Sequence, residues 1–439
     1  MGAGTLGPVE RADAARGAVT AMSLDARLAC AARSRGILEQ AGAEVVEAAV
    51  AEAGVPRRFA RRELASALGL LDALPVLSEA IRPRTVPAVA GSTRLEWMPY
   101  GVVYAWHAAN SPVWVPTLVA SSALVAGNAV VCRPSRRCRR TTLAVLAALA
   151  AAWPADALVV ADVDPEEGER LLVHPGVHAV VAHASTETCR RHVARLAAAY
   201  ADGAPMRPYI PEASGNDAMI VLPGADLERT ASAAALAGYA NAGQLCMSAK
   251  RLVVDRRVWP ELRPRLAVAI GRLRVGDPAD EVTDVGPVRE GPARSRARAA
   301  LAQALAAGGE IVAGEGEQEL FTPTLVLLPR PAHAHLALWR TEVFAPVRSV
   351  VLADGAADAL ALANDSPYGL GASVFGGTDA EVALLVQGLR AARVTIEEGP
   401  LYQDPHLVVG GVGDSGLSGA RPKLEQLVWA RRVHRAEGA

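Results

Sequence analysis

The strongest constraint on the fold of this chain is a rhythm. From Gly101 onward, short runs rich in β-formers alternate with segments of helical length. The runs are "GVVYAW", "NAVVC", "DALVVAD", "VHAVVA" and "DAMIVL", and "TTLAVLAALAAAW" and "TCRRHVARLAAAY" are two of the segments between them. Parallel strands need a crossover, and a helix that makes the crossover also covers one face of the sheet. The alternation therefore predicts a parallel, doubly wound α/β sheet. It resumes after Cys246 with "RLVVD", "EIVAG", "RSVVLA", "GASVFG" and "RVTIEE". One sheet rarely takes so many strands. Two α/β domains are expected, joined near residues 212–216. Residues 24–81 read as two or three amphipathic helices, and "STRLEWMPYG" reads as extended.

Composition narrows the function. The chain has 439 residues, 51% hydrophobic but only 4% aromatic, so its core must be built from Ala, Val and Leu. Charges nearly cancel, with 45 basic against 46 acidic residues, and arginine far outnumbers lysine. No basic tract interleaved with aromatics appears, so no nucleic-acid partner is expected. The cysteines, Cys30, Cys132, Cys138, Cys189 and Cys246, are scattered and odd in number. That pattern argues against a disulfide framework or zinc site and suits a reducing cytoplasm. The crowded His174, His178, His183 and His192 lack the spacing of a metal site and read as structural. The N-terminal residues mix Glu10, Arg11, Asp13 and Arg16, unlike a signal peptide. The most apolar stretch, 102–131, is broken by His107, Asn110, Pro112, Pro116 and Asn128, so no membrane span is expected there.

The chemistry centres on "NAGQLCMSAK", residues 241–250. Cys246 lies among small and polar residues. The Gly and Asn before it suit a turn entering a helix, whose N-terminus would lower the thiol pKa. A lone cysteine can equally be a small buried hydrophobe. Other segments add to the picture. Glu212 precedes a Gly-containing turn and a strand. Asn110 and Pro112 lie between a strand and an apolar helix, and Glu342 precedes Phe344 and Pro346.

With these segments in order, the sequence resembles the aldehyde dehydrogenase superfamily over residues 25–437. Glu212 and Cys246 stand 34 residues apart, the family interval between its Glu-Leu-Gly-Gly and Gly-Gln-x-Cys motifs. Asn110-Ser111-Pro112 precedes Gly127-Asn128 as the family's Asn-Phe-Pro precedes Gly-Asn. Glu342 to Val347 parallels Glu-x-Phe-Gly-Pro-Val, and "LVVGGVGDSGLSG" parallels the C-terminal glycine motif. The resemblance implies two doubly wound domains and a small β oligomerisation element. Residues 1–84 and 101–211 would bind cofactor, 212–405 would be catalytic, and 85–100 with 406–439 would mediate a homodimer or homotetramer. Neither "STRLEWMPYG" nor "LVWARRVHR" is expected to find a partner in its own chain.

The resemblance also implies roles. Cys246 would attack an aldehyde, Asn110 and the Cys246 N–H would hold the oxyanion, and Glu212 would activate water against the thioester. Glu342, with Phe344, would hold the nicotinamide ribose of NAD or NADP. Arg133, Ser135, Arg136 and Ser185 would line the rest of the cofactor site. Arg136 stands where the family has a glutamate that repels a 2′-phosphate, so NADP is expected to be tolerated or preferred. Ala184 and Cys189 replace glycines of the cofactor turn, making close backbone approach harder. The aldehyde tunnel would be lined by Ser111, Trp114, Val115, Leu245 and Met247, with Glu397, Glu398, Tyr402 and His406 nearby. Ser111 replaces a large aromatic and leaves room for a bulky substrate. Two alternatives stay open: a CoA-acylating enzyme, which Glu212 opposes, and a weakened homologue serving as a binding subunit.

Overall fold

The computed structural model of the chain describes residues 6–288, 291–315, 321–401, 410–417, 419 and 421–436. Four helices come first: α1 (Pro8–Ala21), α2 (Leu24–Gln40), α3 (Gly42–Ala53) and α4 (Arg57–Leu77). Helix formation thus begins earlier than the sequence reading placed it. Pro8 opens α1 at a position where a missing N–H costs nothing. Ser23 then starts α2 by accepting the Ala26 N–H at 3.2 Å. With the turn after it, α4 is long and apolar enough to cross a membrane by length and composition. Yet it packs on α2 and α5 and buries Glu63, Leu70, Leu71 and Leu74. Strands β1 (Arg84–Val86) and β2 (Ser92–Pro99) follow.

The alternation then unfolds as expected. Its elements are β3 (Val102–Trp106), α5 (Trp114–Val125), β4 (Ala129–Arg133), α6 (Arg139–Ala150), β5 (Leu158–Val160), α7 (Pro165–Leu172), β6 (Ala179–His183), α8 (Thr186–Ala201) and β7 (Tyr209–Glu212). The strands form one parallel sheet in the order β5-β4-β3-β6-β7. Every residue of β3, β4 and β6 is buried, which is why these strands read as unbroken apolar runs. The chain steps outward from β3 to β5 and returns on the other side at β6. That reversal opens a crevice beyond the carboxyl ends of β3 and β6.

A second unit begins with β8 (Asp217–Val221), α9 (Leu227–Tyr239), β9 (Ala249–Asp255), α10 (Trp259–Gly271) and α11 (Gly291–Ala306). It continues through β10 (Glu310–Ala313), β11 (Thr324–Leu327), α12 (Ala337–Arg340), β12 (Val347–Ala353), α13 (Ala356–Asn364), β13 (Tyr368–Gly369), β14 (Gly371–Phe375), α14 (Asp379–Gly388) and β15 (Arg393–Ile396). The sheet order is β10-β11-β12-β9-β8-β14-β15. It is not wholly parallel, because β10 runs antiparallel to β11. The connection between them, 314–323, is too short for a helical crossover. Only residues 213–216 separate the end of β7 in one sheet from the start of β8 in the other. The carboxyl edge of the first sheet is thereby joined directly to the second.

The chain ends with β16 (Val412–Gly413), α15 (Lys423–Gln426) and β17 (Val428–Arg435). Here the structure corrects the sequence reading. The two segments expected to lack a partner in their own chain pair with each other. β17 runs antiparallel to β2 from Val428 opposite Pro99 to Arg435 opposite Ser92, with β1 on the far side of β2. The outer edge of β17 carries exposed Trp429 and Val433.

Candidate active site

The turn that carries Cys246 is built on unusual backbone. After α9, Asn241, Ala242 and Gly243 adopt left-handed φ values of 50°, 54° and 69° in succession. Asn and Gly accept this conformation, whereas an alanine there costs roughly 1–2 kcal/mol. A buried guanidinium holds the turn. Arg348 donates to the carbonyls of Gly238 at 2.7 Å and Gly243 at 2.9 Å on this side, and to Val343, Ala345 and Val347 on the other. Burial lowers its pKa to about 10, so it remains a cation near neutrality. The residues after Cys246 enter β9, not a helix. The expected helix N-terminus is therefore absent, and no helix dipole activates the thiol. Burial, reinforced by the Glu342 carboxylate, pushes the half-buried thiol up to about 12, and Lys250 opposes that shift.

Lys250 organises what surrounds Cys246. Its Nζ donates to the carbonyls of Leu245 and Cys246, each at 2.7 Å, and lies 3.5 Å from Glu342 Oε1. The same Glu342 oxygen accepts the Gly215 N–H at 3.0 Å. Gly215 in turn abuts the thiol turn so closely that a Cβ on it would lie 2.3 Å from the Cys246 carbonyl oxygen. The segment after Glu212, the Cys246 turn and the Glu342 loop thus form one connected unit. Glu212 is buried at the end of β7, where its carboxylate accepts from the buried ammonium of Lys423. Asn110 joins through its backbone, since its carbonyl accepts Asn241 Nδ2 at 3.0 Å.

Of the expected tunnel residues, Leu245 and Val115 are buried, and Met247, Trp114 and Ser111 are half-buried. Ser111 is not free. Its Oγ donates to Glu63 Oε1 at 2.6 Å, and that oxygen also accepts the N–H groups of Val113 and Trp114 at the start of α5. Glu397 and Glu398 bind backbone N–H groups of Gly376 and Gly399, apart from the Cys246 network. Tyr402 and His406 lie outside the described residues.

The crevice beyond β3 and β6 fits a dinucleotide. Ser185 caps α8, accepting the Thr188 N–H at 3.2 Å, so a long helix opens at the crevice. Such an end favours a pyrophosphate. His107 and His183 are buried there with no hydrogen-bond partner on either ring nitrogen among the described residues. Burial lowers both, His107 to about 3, so both are neutral rings. Arg136 is exposed on the turn after β4, and Ser135 accepts the Arg137 N–H at 3.4 Å. Arg133 is buried, with its guanidinium 3.9 Å over the Trp106 ring. Phe344 packs half-buried against the core of the second sheet.

A family model described as the aldehyde dehydrogenase family matches residues 8–428. The chain belongs to the aldehyde dehydrogenase family. It is 30% identical over 406 residues to a vanillin dehydrogenase of Pseudomonas fluorescens, covering 90% of this chain and 82% of that protein. It is 30% identical to an NADP-dependent succinate-semialdehyde dehydrogenase of Mycobacterium leprae, covering 77% of this chain and 73% of the other. The fold matches the NADP-complexed glyceraldehyde-3-phosphate dehydrogenase of Bacillus halodurans with a TM-score of 0.89 at 25% identity, over 98% of this chain and 90% of that one.

For this aldehyde dehydrogenase, sequence reasoning passed over Lys250, Lys423, Glu63 and Arg348, and it set His183 aside as structural. For the lysines a signal existed. Among 45 basic residues only two are lysines, Lys250 and Lys423, and both are buried beside the site. Gly215→Ala tests the contact that joins Glu212 to the thiol turn. Its Cβ must displace the Cys246 carbonyl, and a misplacement near 1 Å costs about 10²-fold in rate. Activity should fall by about that factor while the circular dichroism spectrum is retained; wild-type activity in the variant would contradict the contact.

Proposed function

We propose that this chain oxidises an aldehyde to a carboxylic acid with NAD or NADP, using Cys246 as nucleophile and Glu212 as the base that activates water. The observation that carries this reading is the contact of Gly215 with the Cys246 carbonyl, which ties the segment carrying Glu212 to the thiol turn. The family and its NAD- and NADP-dependent relatives support the reaction class. When bound, the nicotinamide cofactor supplies the hydride acceptor. Ser185 at the α8 cap, exposed Arg136 and the neutral rings of His107 and His183 are the groups that would face it.

The chain's own residues do the rest. The Cys246 thiol loses its proton to solvent, helped by the Lys250 ammonium, and Sγ bonds to the aldehyde carbon. Asn110 Nδ2 and the Cys246 N–H donate to the oxygen that becomes negative. Departure of hydride leaves an acyl thioester on Cys246. Glu212 takes a proton from water as the water oxygen bonds to the acyl carbon. Collapse of the adduct breaks the C–S bond and releases the acid.

Three expectations follow from this reading. Cys246→Ala should abolish turnover, whereas Glu212→Gln should release one equivalent of reduced cofactor and then stall as an acyl-enzyme visible by intact-protein mass spectrometry. Steady turnover by Glu212→Gln, or acyl-CoA formed in preference to acid, would overturn the assignment. Arg136→Glu should shift preference toward NAD by roughly tenfold, since a charge-assisted contact to phosphate contributes about 1.5–3 kcal/mol. A wild type with no measurable NADP use would sink that argument. The exposed outer edge of β17 favours pairing with a second copy about a two-fold axis. Light scattering at micromolar concentration should find a dimer or tetramer, and a monomer would refute it.

A further inference from the structure

Building on Glu212 as the deacylation base, we propose that Lys423 is its positioning residue: the buried ammonium on α15 fixes the Glu212 carboxylate for attack by water on acyl-Cys246. Lys423 Nζ donates to Glu212 Oε1 and, at 3.0 Å, to Gln426 Oε1 one helical turn along. The two side chains are 1% and 6% exposed, so the pair is shut off from bulk water. A charge-assisted bond in such surroundings is strong and directional. Lys423 holds one carboxylate oxygen, and the other would accept from the attacking water.

The charge is as important as the geometry. A carboxylate buried without a cation takes up a proton, and a protonated carboxyl cannot accept another. Among the described residues, the other titratable groups beside Glu212 do not supply that cation. They are His183 on β6, which burial and Lys423 keep neutral, Cys189 on α8, and Cys246 itself. Lys423 transfers no proton in the step. Water gives one proton to Glu212, its oxygen bonds to the acyl carbon, and the C–S electron pair leaves on Cys246.

The chain's own usage strengthens the assignment. Arginine fills every other basic position, yet lysine stands at Lys423 and Lys250. Arginine presents a wide planar fork, whereas lysine places a compact point charge that fits behind one carboxylate oxygen. Lys423 also lies five residues before the start of β17, on the segment that docks α15 against α5, where Leu427 O accepts from Asn128 Nδ2 at 2.9 Å. The base is therefore completed only when the C-terminal segment is seated.

Stopped-flow measurement of reduced cofactor on wild type, Lys423→Met, Lys423→Arg and Glu212→Gln, with vanillin or succinate semialdehyde as probe, tests this. Lys423→Met should keep a full burst of one equivalent and lose roughly tenfold or more in the steady rate, and its accumulated acyl-enzyme, once separated from free aldehyde, should be released as the hydroxamate by hydroxylamine, a nucleophile that needs no base. Lys423→Arg should keep the burst and recover only part of the steady rate. A steady rate within twofold of wild type, or a burst lost in proportion to the steady rate, would overturn the proposal. Should Lys423→Met not fold, the two lysine Nζ resonances of the ζ-¹⁵N-labelled enzyme decide: one must shift on Glu212→Gln, and an unmoved pair refutes the contact. If Glu212→Gln itself turns over normally, it is the reading of Glu212 as base that has failed.

Discussion

The active-site geometry depends on one buried cation, the Arg348 guanidinium. Among the described residues it has no carboxylate partner within hydrogen-bonding distance, and it is satisfied by five backbone carbonyls. Two belong to the end of α9 and the left-handed turn before Cys246, and three to the loop that follows Glu342. Those segments are more than a hundred residues apart in sequence, yet one rigid five-donor fork sets their separation. Such a fork is what holds a backbone turn against its own strain, since leaving a buried carbonyl unpaired costs about 1–3 kcal/mol each.

Around that anchor the two lysines divide the electrostatics. Lys250 lies behind the thiol turn, binds its carbonyls and approaches Glu342. Lys423 lies on the other side of the site, on Glu212. Each carboxylate the reaction would use therefore rests against an ammonium, and each ammonium is buried. With Cys246 held as a thiol by burial and by Glu342, anything that draws Glu342 away from Lys250 favours the thiolate. The Cys246 thiol and the Glu342 carboxylate are thus coupled through a single lysine.

The site also shows how the family scaffold tolerates local departures. Ser111, where the resemblance implied room for a bulky substrate, is met by the Glu63 carboxylate from α4, which accepts from its Oγ and from the N–H groups that open α5. The wall beside Asn110 is polar where bulk was expected to have been removed. Arg133, expected to meet the cofactor, stacks instead on Trp106 beneath α7. A substitution read from sequence alone reports a lost side chain, not the neighbour that takes its place.

What the sequence by itself determined was periodic or ordered along the chain. Strand runs such as 102–106 and 249–255 were legible because parallel strands buried on both faces must be continuously apolar. Cys246, Glu212, Asn110 and Glu342 were singled out because their order and spacing resemble a family's motifs, and the family and the fold are the ones that resemblance implied. What only the tertiary structure decided was everything that depends on distant segments meeting. The residues before Cys246 looked like a helix entry, yet they form a left-handed turn, and the residues after Cys246 enter β9, which pairs between β8 and β12. "STRLEWMPYG" and "LVWARRVHR" looked unpartnered, yet they pair across more than three hundred residues. Lys423, Lys250, Glu63 and Arg348 acquire meaning only from the groups they face. Hydrophobic periodicity is a local property and survives in one dimension. The pairing of a buried charge is a property of two segments at once, and no spacing along the chain encodes it.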